Sequence, residues 1–194
     1  MSNIYSPPTA NLDDEPGASE SNDNFYVVAP LKFWLLFVLT LGFYQVYWFY
    51  KNWSRYKART HDDIWPVMRG IFTIFFTHSL FREIDAALVA EEREHSWDPG
   101  LLATGYVIAT IVNRILDRTP DSMDKVVLPI ELFIMLPLVG YLLYRAQVAI
   151  NIACGDPTGA SNAKLTWANY LWMILGAALI VLGLIGTFVD LKQS

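Results

Sequence analysis

A single cysteine, Cys154, stands in 194 residues, so no disulfide can form within the chain. No Lys or Arg precedes Lys32. A cleavable signal peptide needs a basic segment ahead of its apolar core, so none is expected, and the first apolar run should stay in the mature protein. A net basic balance is missing as well. The net charge is -5, and Asp13, Asp14, Glu15, Glu20 and Asp23 alone supply five negative charges. The near-neutral remainder gives nucleic acid nothing to hold. Catalytic signatures are also absent: there is no Walker sequence, no HExxH and no Gly-x-Ser-x-Gly. His61, His78 and His95 are all remote from Cys154 in the chain, which leaves a thiol nucleophile without a local base. Glu92 and His95 have the spacing of half a di-iron site and lack the other half. His61-Asp62-Asp63 is too compact to cage a metal. No enzyme activity, cofactor or metal is expected.

What the chain does have is apolar residues, 54% of the total, gathered in blocks. Residues 1–24 form an acidic tail with Pro7, Pro8, Pro16 and Gly17, too polar to offset the entropy of ordering, and disorder is expected there. Between Leu31 and Tyr50 only Lys32, Thr40 and Gln45 are polar. As one helix that run is roughly 30 Å long, enough to cross a bilayer core. It ends in Tyr44, Tyr47, Trp48, Tyr50 and Trp53 with Lys51, Arg55, Lys57 and Arg59 beyond, an aromatic belt followed by a basic cytoplasmic flank. Further spans are expected at 101–116, 126–150 and 167–189, the 126–150 helix long and, with Pro129 and Pro137 inside it, tilted or kinked. Residues 64–95 are interrupted by Pro66, Arg69, Gly70 and His78, and read as an interfacial or re-entrant helix, or as a fifth span. The expected fold is therefore all-α: a single domain over 25–194, a polytopic transmembrane helical bundle of four spans plus one interfacial or re-entrant helix, or of five spans. Lipid-exposed backbone must satisfy its own hydrogen bonds, which leaves no case for an open sheet.

Counting Lys and Arg with five spans gives eight inside against four outside, and with a surface-lying second segment nine against four. Both counts put Lys51 to Arg59 in the cytoplasm and the N-terminal tail outside.

The first run also carries a family resemblance. Tyr26-Val-Val-Ala-Pro-Leu-Lys32-Phe33, then Leu39-Thr40-Leu41-Gly42-Phe43-Tyr44-Gln45-Val46-Tyr47-Trp48-Phe49-Tyr50-Lys51, resembles the Thr-x-Gly-x-Tyr-x-x-Tyr-Trp-Phe-Tyr-Lys signature of domain-of-unknown-function family 4234, small prokaryotic membrane proteins. The resemblance covers residues 26–80 and implies a protein of the bacterial inner membrane. It implies no activity.

Three groups of residues are candidates for function. Tyr44, Tyr47 and Trp48 share a helix face and, with Lys51, Arg55, Lys57 and Arg59, would anchor the chain at the interface or contact anionic lipid or a membrane partner. Asn151, Asp156, Asn162, Lys164 and Asn169 make the Asn151 to Asn169 connection more polar than a turn requires, so it is either a capped helix connection or a polar ligand site. Arg69, His78, Glu131 and Arg145 are ionisable groups in or beside apolar segments, suited to snorkelling or to an ion pathway. The expected role is a non-catalytic accessory or interaction protein whose partners are membrane lipid and, beyond it, a membrane protein or a second copy of the chain. The alternative is a small transporter or channel.

Overall fold

The computed structural model describes residues 24–120 and 123–193, and among them every regular element is helical. The expected acidic tail lies outside the described residues.

The expected span over 31–50 is not one helix. α1 (Pro30–Leu39) starts on Pro30, whose fixed φ suits a first turn, and stops at Thr40. Leu41 and Gly42 then take left-handed φ of 52° and 81°, which no helix continues through. The Thr40 hydroxyl donates to Leu36 O (2.7 Å) and accepts from the Tyr44 N–H (3.0 Å), so one side chain closes α1 and opens α2 (Tyr44–Thr60). The chain reverses here. The Tyr26 N–H donates to Asn52 Oδ1 at 3.0 Å, and Arg55 Nη1 donates to Phe25 O at 3.0 Å, whereas a straight crossing would part these groups by roughly 30 Å. Hydropathy counts side chains and is blind to φ, and that is why an unbroken apolar run conceals a hairpin.

Residues 64–95 form a second hairpin and not one long helix. α3 (Pro66–Ile71) lies so close on α2 that a Cβ on Gly70 would stand 3.1 Å from Tyr50 Cβ and from Val46 O. The chain turns at Phe72, and α4 (Thr73–Ala90) runs back from the middle of the molecule, where the Tyr106 hydroxyl donates to Thr73 Oγ1 (2.9 Å), toward its end, where Phe81 packs on Trp97.

α5 (Pro99–Leu116) is capped by Asp98, whose Oδ1 accepts from the Leu101 N–H at 2.8 Å. α6 (Asp124–Ile130) and α7 (Leu136–Ala153) are joined without a break by one π-helical turn, Glu131–Met135. Pro137 has no N–H and its ring would press on the carbonyl of Phe133, and the wider turn relieves that contact. α8 (Trp167–Gln193) closes against α1: a Cβ on Gly176 would fall 1.8 Å from Leu39 O.

Two helices, Pro99–Leu116 and Lys125–Ala153, are long and apolar enough to cross a membrane. Only 17% and 22% of their apolar windows are buried, the reverse of a soluble protein's core helix, and this weighs toward a lipid-facing role. The apolar part of α8 with described side chains, Trp167–Gly183, is shorter. Four or five spans are therefore not supported.

The core is aromatic. Phe25, Phe33, Phe37, Trp48, Phe49, Trp53, Phe81 and Tyr106 are all at most 1% exposed, between the two hairpins and α5 and α7. The N-terminal end of the described chain meets the far end of α2 and the close of α7: Arg59 stacks on Phe25, and Cys154 Sγ lies 4.0 Å from Phe25 O. This end is called the basic end below.

Candidate anion pocket

Phe25 to Ala29, an irregular strand of chain outside any helix, is largely buried, yet among the described residues no β-strand lies beside it to take its backbone hydrogen bonds. Side-chain amides take them instead. Asn52 Oδ1 accepts from Tyr26 N–H, and Gln147 Nε2 donates to Tyr26 O (3.1 Å). Asn162 Nδ2 donates to Val27 O (2.8 Å). Asn151 takes both sides of Val28, accepting from its N–H (3.2 Å) and donating to its carbonyl (2.9 Å). Gln147 and Asn151 are themselves joined at 2.7 Å, and the Trp48 indole N–H donates to Gln147 Oε1. Four amides from α2, α7 and the short 3-10 turn Ala160–Asn162 thus fix the strand that leads into α1.

Beside this strand lies a cavity of about 390 Å³, walled by Tyr26, Lys32, Tyr47, Lys51, Arg55, Asn162, Thr166 and Asn169 among others. No carboxylate stands on its wall among the described residues. Lys32 is 4% exposed; its ammonium donates to Asn162 Oδ1 and to Lys164 O, each at 2.7 Å. Both acceptors are neutral, and burial lowers the lysine's pKa. An ammonium carries three N–H donors, so one remains beyond these two bonds. Lys51 lies over the Tyr47 ring at 5.7 Å and Arg55 over the Tyr26 ring at 5.8 Å. Burial, and next the adjoining Tyr26, push the Tyr47 phenol up to about 12, so it stays a neutral donor. Thr166 and Asn169 cap the start of α8, with the Thr166 N–H donating to Asn169 Oδ1 at 2.9 Å. The positive end of the α8 dipole therefore faces the cavity.

The loop that carries Asn162 is tied by Asp156, which accepts from Ala160 N–H (3.0 Å) and Ser161 N–H (2.8 Å). Burial alone would raise the Asp156 carboxyl; the Ser161, Ala160 and Thr158 donors outweigh it and hold the group below the usual range. Gly159, at φ +67°, lets this loop approach the strand: a Cβ there would lie 2.5 Å from Val28 O.

The site draws on two groups that are far apart in sequence. From the first come Tyr47, Lys51 and Arg55; from the second come Asn162 and Asn169, with the Lys164 backbone in support. Tyr44 and Trp48 are not belt residues, as they are 6% and 0% exposed and pack in the core. One helix face can look at lipid or at protein with the same i, i+3, i+4 spacing, and the hairpin turns this one inward. Lys57 donates to Ile64 O, and Arg59 stacks on Phe25 and Tyr56, so these two cations brace α2 outside the pocket. Asn151 and Asp156 hold backbone and do not line the cavity.

Arg69, His78, Glu131 and Arg145 do not converge. Arg69 stacks on Trp53 (4.2 Å) and Phe76 (5.0 Å); exposed His78 meets Thr104; Arg145 reaches Tyr141 and Ser96 O. Glu131 lines a different cavity of about 440 Å³ at the opposite end, between the Leu41–Phe43 turn, the end of α5 and the π turn. That larger space is mostly apolar, and its Arg114 already pairs with Asp117 at 3.4 Å. It lacks the buried cation that marks the basic end.

Lys32, Tyr26 and Thr166 are site residues that sequence patterning passes over. One lysine two positions after a proline reads as an ordinary interfacial group, and the only signal for it is a charge at the head of an apolar run. No family model, no characterised protein and no solved structure matches the chain.

Proposed function

We propose that the protein is a non-catalytic, multi-pass component of a bacterial inner membrane, the setting implied by the resemblance of residues 26–80, and that its pocket holds the headgroup of an anionic lipid. The Lys32 ammonium carries this reading: it is buried, held by two neutral oxygens, and sits on a wall that shows no carboxylate among the described residues. A buried charge without a counter-charge costs several kcal/mol. An anion in the cavity removes that cost.

The level of the pocket supports a lipid source. Trp167, Tyr170 and Trp172 at the start of α8 are exposed, the residues that favour a membrane interface. Of 14 Lys and Arg, Arg114, Arg118, Lys125 and Lys192 lie toward the far end, which leaves ten on the side of the pocket. The positive-inside rule makes that side cytoplasmic. On this topology the two hairpins dip from the inner face and α5 and α6–α7 cross. Asn24, the first described residue, then lies at the inner face, not the outer one as a single crossing over 31–50 would require.

The test is purified protein in mixed micelles carrying phosphatidylglycerol or phosphatidylcholine, with a Lys51→Gln, Arg55→Gln variant beside it. Phosphatidylglycerol should raise the unfolding temperature and phosphatidylcholine should not, and the variant should lose the difference. An equal response to both lipids, or an unaltered difference in the variant, contradicts the proposal.

A further inference from the structure

Anionic lipids carry their phosphate as a diester or as a monoester, and the pocket's donors discriminate between them; this step rests on the anionic-headgroup reading above. We propose that the pocket selects a phosphomonoester, a terminal phosphate bearing close to two negative charges, over a phosphodiester bearing one.

Three observations support this choice. The wall carries the Lys32 and Lys51 ammonium groups and, among the described residues, no carboxylate, and a monoester at neutral pH, with about -1.5 to -2 charge, offsets more of that field than a diester can. The donors also come from separate directions. Lys32 stands at the head of α1, Lys51 and Arg55 on α2, and the Asn169 amide at the head of α8. A terminal phosphate presents three unsubstituted oxygens to such a ring of donors, whereas a diester presents two and turns an ester substituent toward the third side. Finally, donors are unspent. Lys32 retains its third N–H, and Lys51 has a ring face beneath it and no hydrogen-bond acceptor among the described residues. Charge-assisted bonds to phosphate are the strong ones, so an added charged oxygen is worth more here than added neutral contact.

The chemistry is shared by a lipid monoester and by a soluble one, and the experiment separates them. The full chain in neutral-detergent micelles is titrated with phosphatidic acid and with phosphatidylglycerol at matched mole fraction, and bound lipid is read by native mass spectrometry. A second arm adds glycerol 3-phosphate or inorganic phosphate as competitor. Phosphatidic acid should bind at least about tenfold more tightly, equivalent to ~1.4 kcal/mol. The preference should shrink below about pH 6, where the monoester dianion takes up a proton and becomes a monoanion. Lys32→Met should flatten the preference. Lys51→Gln, a half-exposed position that is safe if Lys32→Met fails to fold, should weaken phosphatidic acid more than phosphatidylglycerol. Displacement by glycerol 3-phosphate at equal concentration supports the monoester with a soluble source, and resistance to it supports the lipid. Equal affinity for the two lipids overturns the monoester inference and leaves the anionic reading standing. Binding of neither above a phosphatidylcholine background overturns both.

Discussion

Asn151 is the side chain on which the strand Phe25 to Ala29 most depends, and its removal has a calculable effect. It is 1% exposed, accepts from Val28 N–H, donates to Val28 O and accepts from Gln147 Nε2. In Asn151→Ala, both backbone groups of the fully buried Val28 lose their partner. At about 1.5 kcal/mol per orphaned group the loss is ~3 kcal/mol, roughly a hundredfold in the equilibrium for lifting the strand. Asn151→Asp keeps the acceptor and loses the donor, so about half that energy is expected. Cys154 provides the readout. It is 0% exposed, with its sulfur 4.0 Å from Phe25 O, so it is reached only when the strand lifts. Alkylation of the solubilised protein by a maleimide should accelerate about a hundredfold in Asn151→Ala and by an intermediate factor in Asn151→Asp. Unchanged alkylation in Asn151→Ala would refute the view that side-chain amides hold this strand.

Other outcomes follow from single positions. Gly176→Ala should destabilise the protein by more than the about 1–3 kcal/mol of ordinary overpacking, because its Cβ would meet the Leu39 carbonyl at 1.8 Å; Gly183→Ala, whose Cβ would meet nothing within 4 Å, is the control in the same thermal melt. Asp156 has a folded pKa below its free value of 3.8, so its stabilising share is present above that value and is lost as pH falls through the folded pKa. Asp156→Asn should flatten the acid limb of a stability profile. Lys32 has a folded pKa below its free value of 10.5; the fold releases its proton early, and anion affinity should fall as pH rises through that lowered pKa. Lys32→Arg, which stays ionised, should carry binding to higher pH in the same titration.

The helical class, and helices close to 101–116 and 126–150, were legible because they depend on apolar length and, for the first of them, on Pro99 as local punctuation. The turn at Asp156 was legible for the same reason. The reversal at Thr40 to Phe43 was not. It depends on left-handed φ at Leu41, a residue that rarely adopts it, and on a hydroxyl that caps two helices at once. Tyr44 and Trp48 look like belt residues in sequence because a rotation of the helix about its axis decides between lipid and core, and sequence spacing is the same in both cases. Asn52, Gln147 and Asn151 serve backbone groups 26 to 123 positions away, and no local pattern encodes such a partnership. The pocket was half legible: Tyr47, Lys51, Arg55, Asn162 and Asn169 stood out by charge and polarity, but only the hairpin brings them together around Lys32.

The claim on which all of this turns is that the first apolar run folds back, which puts Phe25 and the basic end of α2 on one side of the membrane. Single cysteines tested with a membrane-impermeant thiol reagent in intact and opened cells, in a Cys154→Ser background, address it directly. Asn24→Cys and Thr60→Cys should behave alike, both protected until the cells are opened, while Asp117→Cys is labelled from outside. Labelling of Asn24→Cys in intact cells with Thr60→Cys protected would show that residues 31–50 cross the membrane, and would contradict the account.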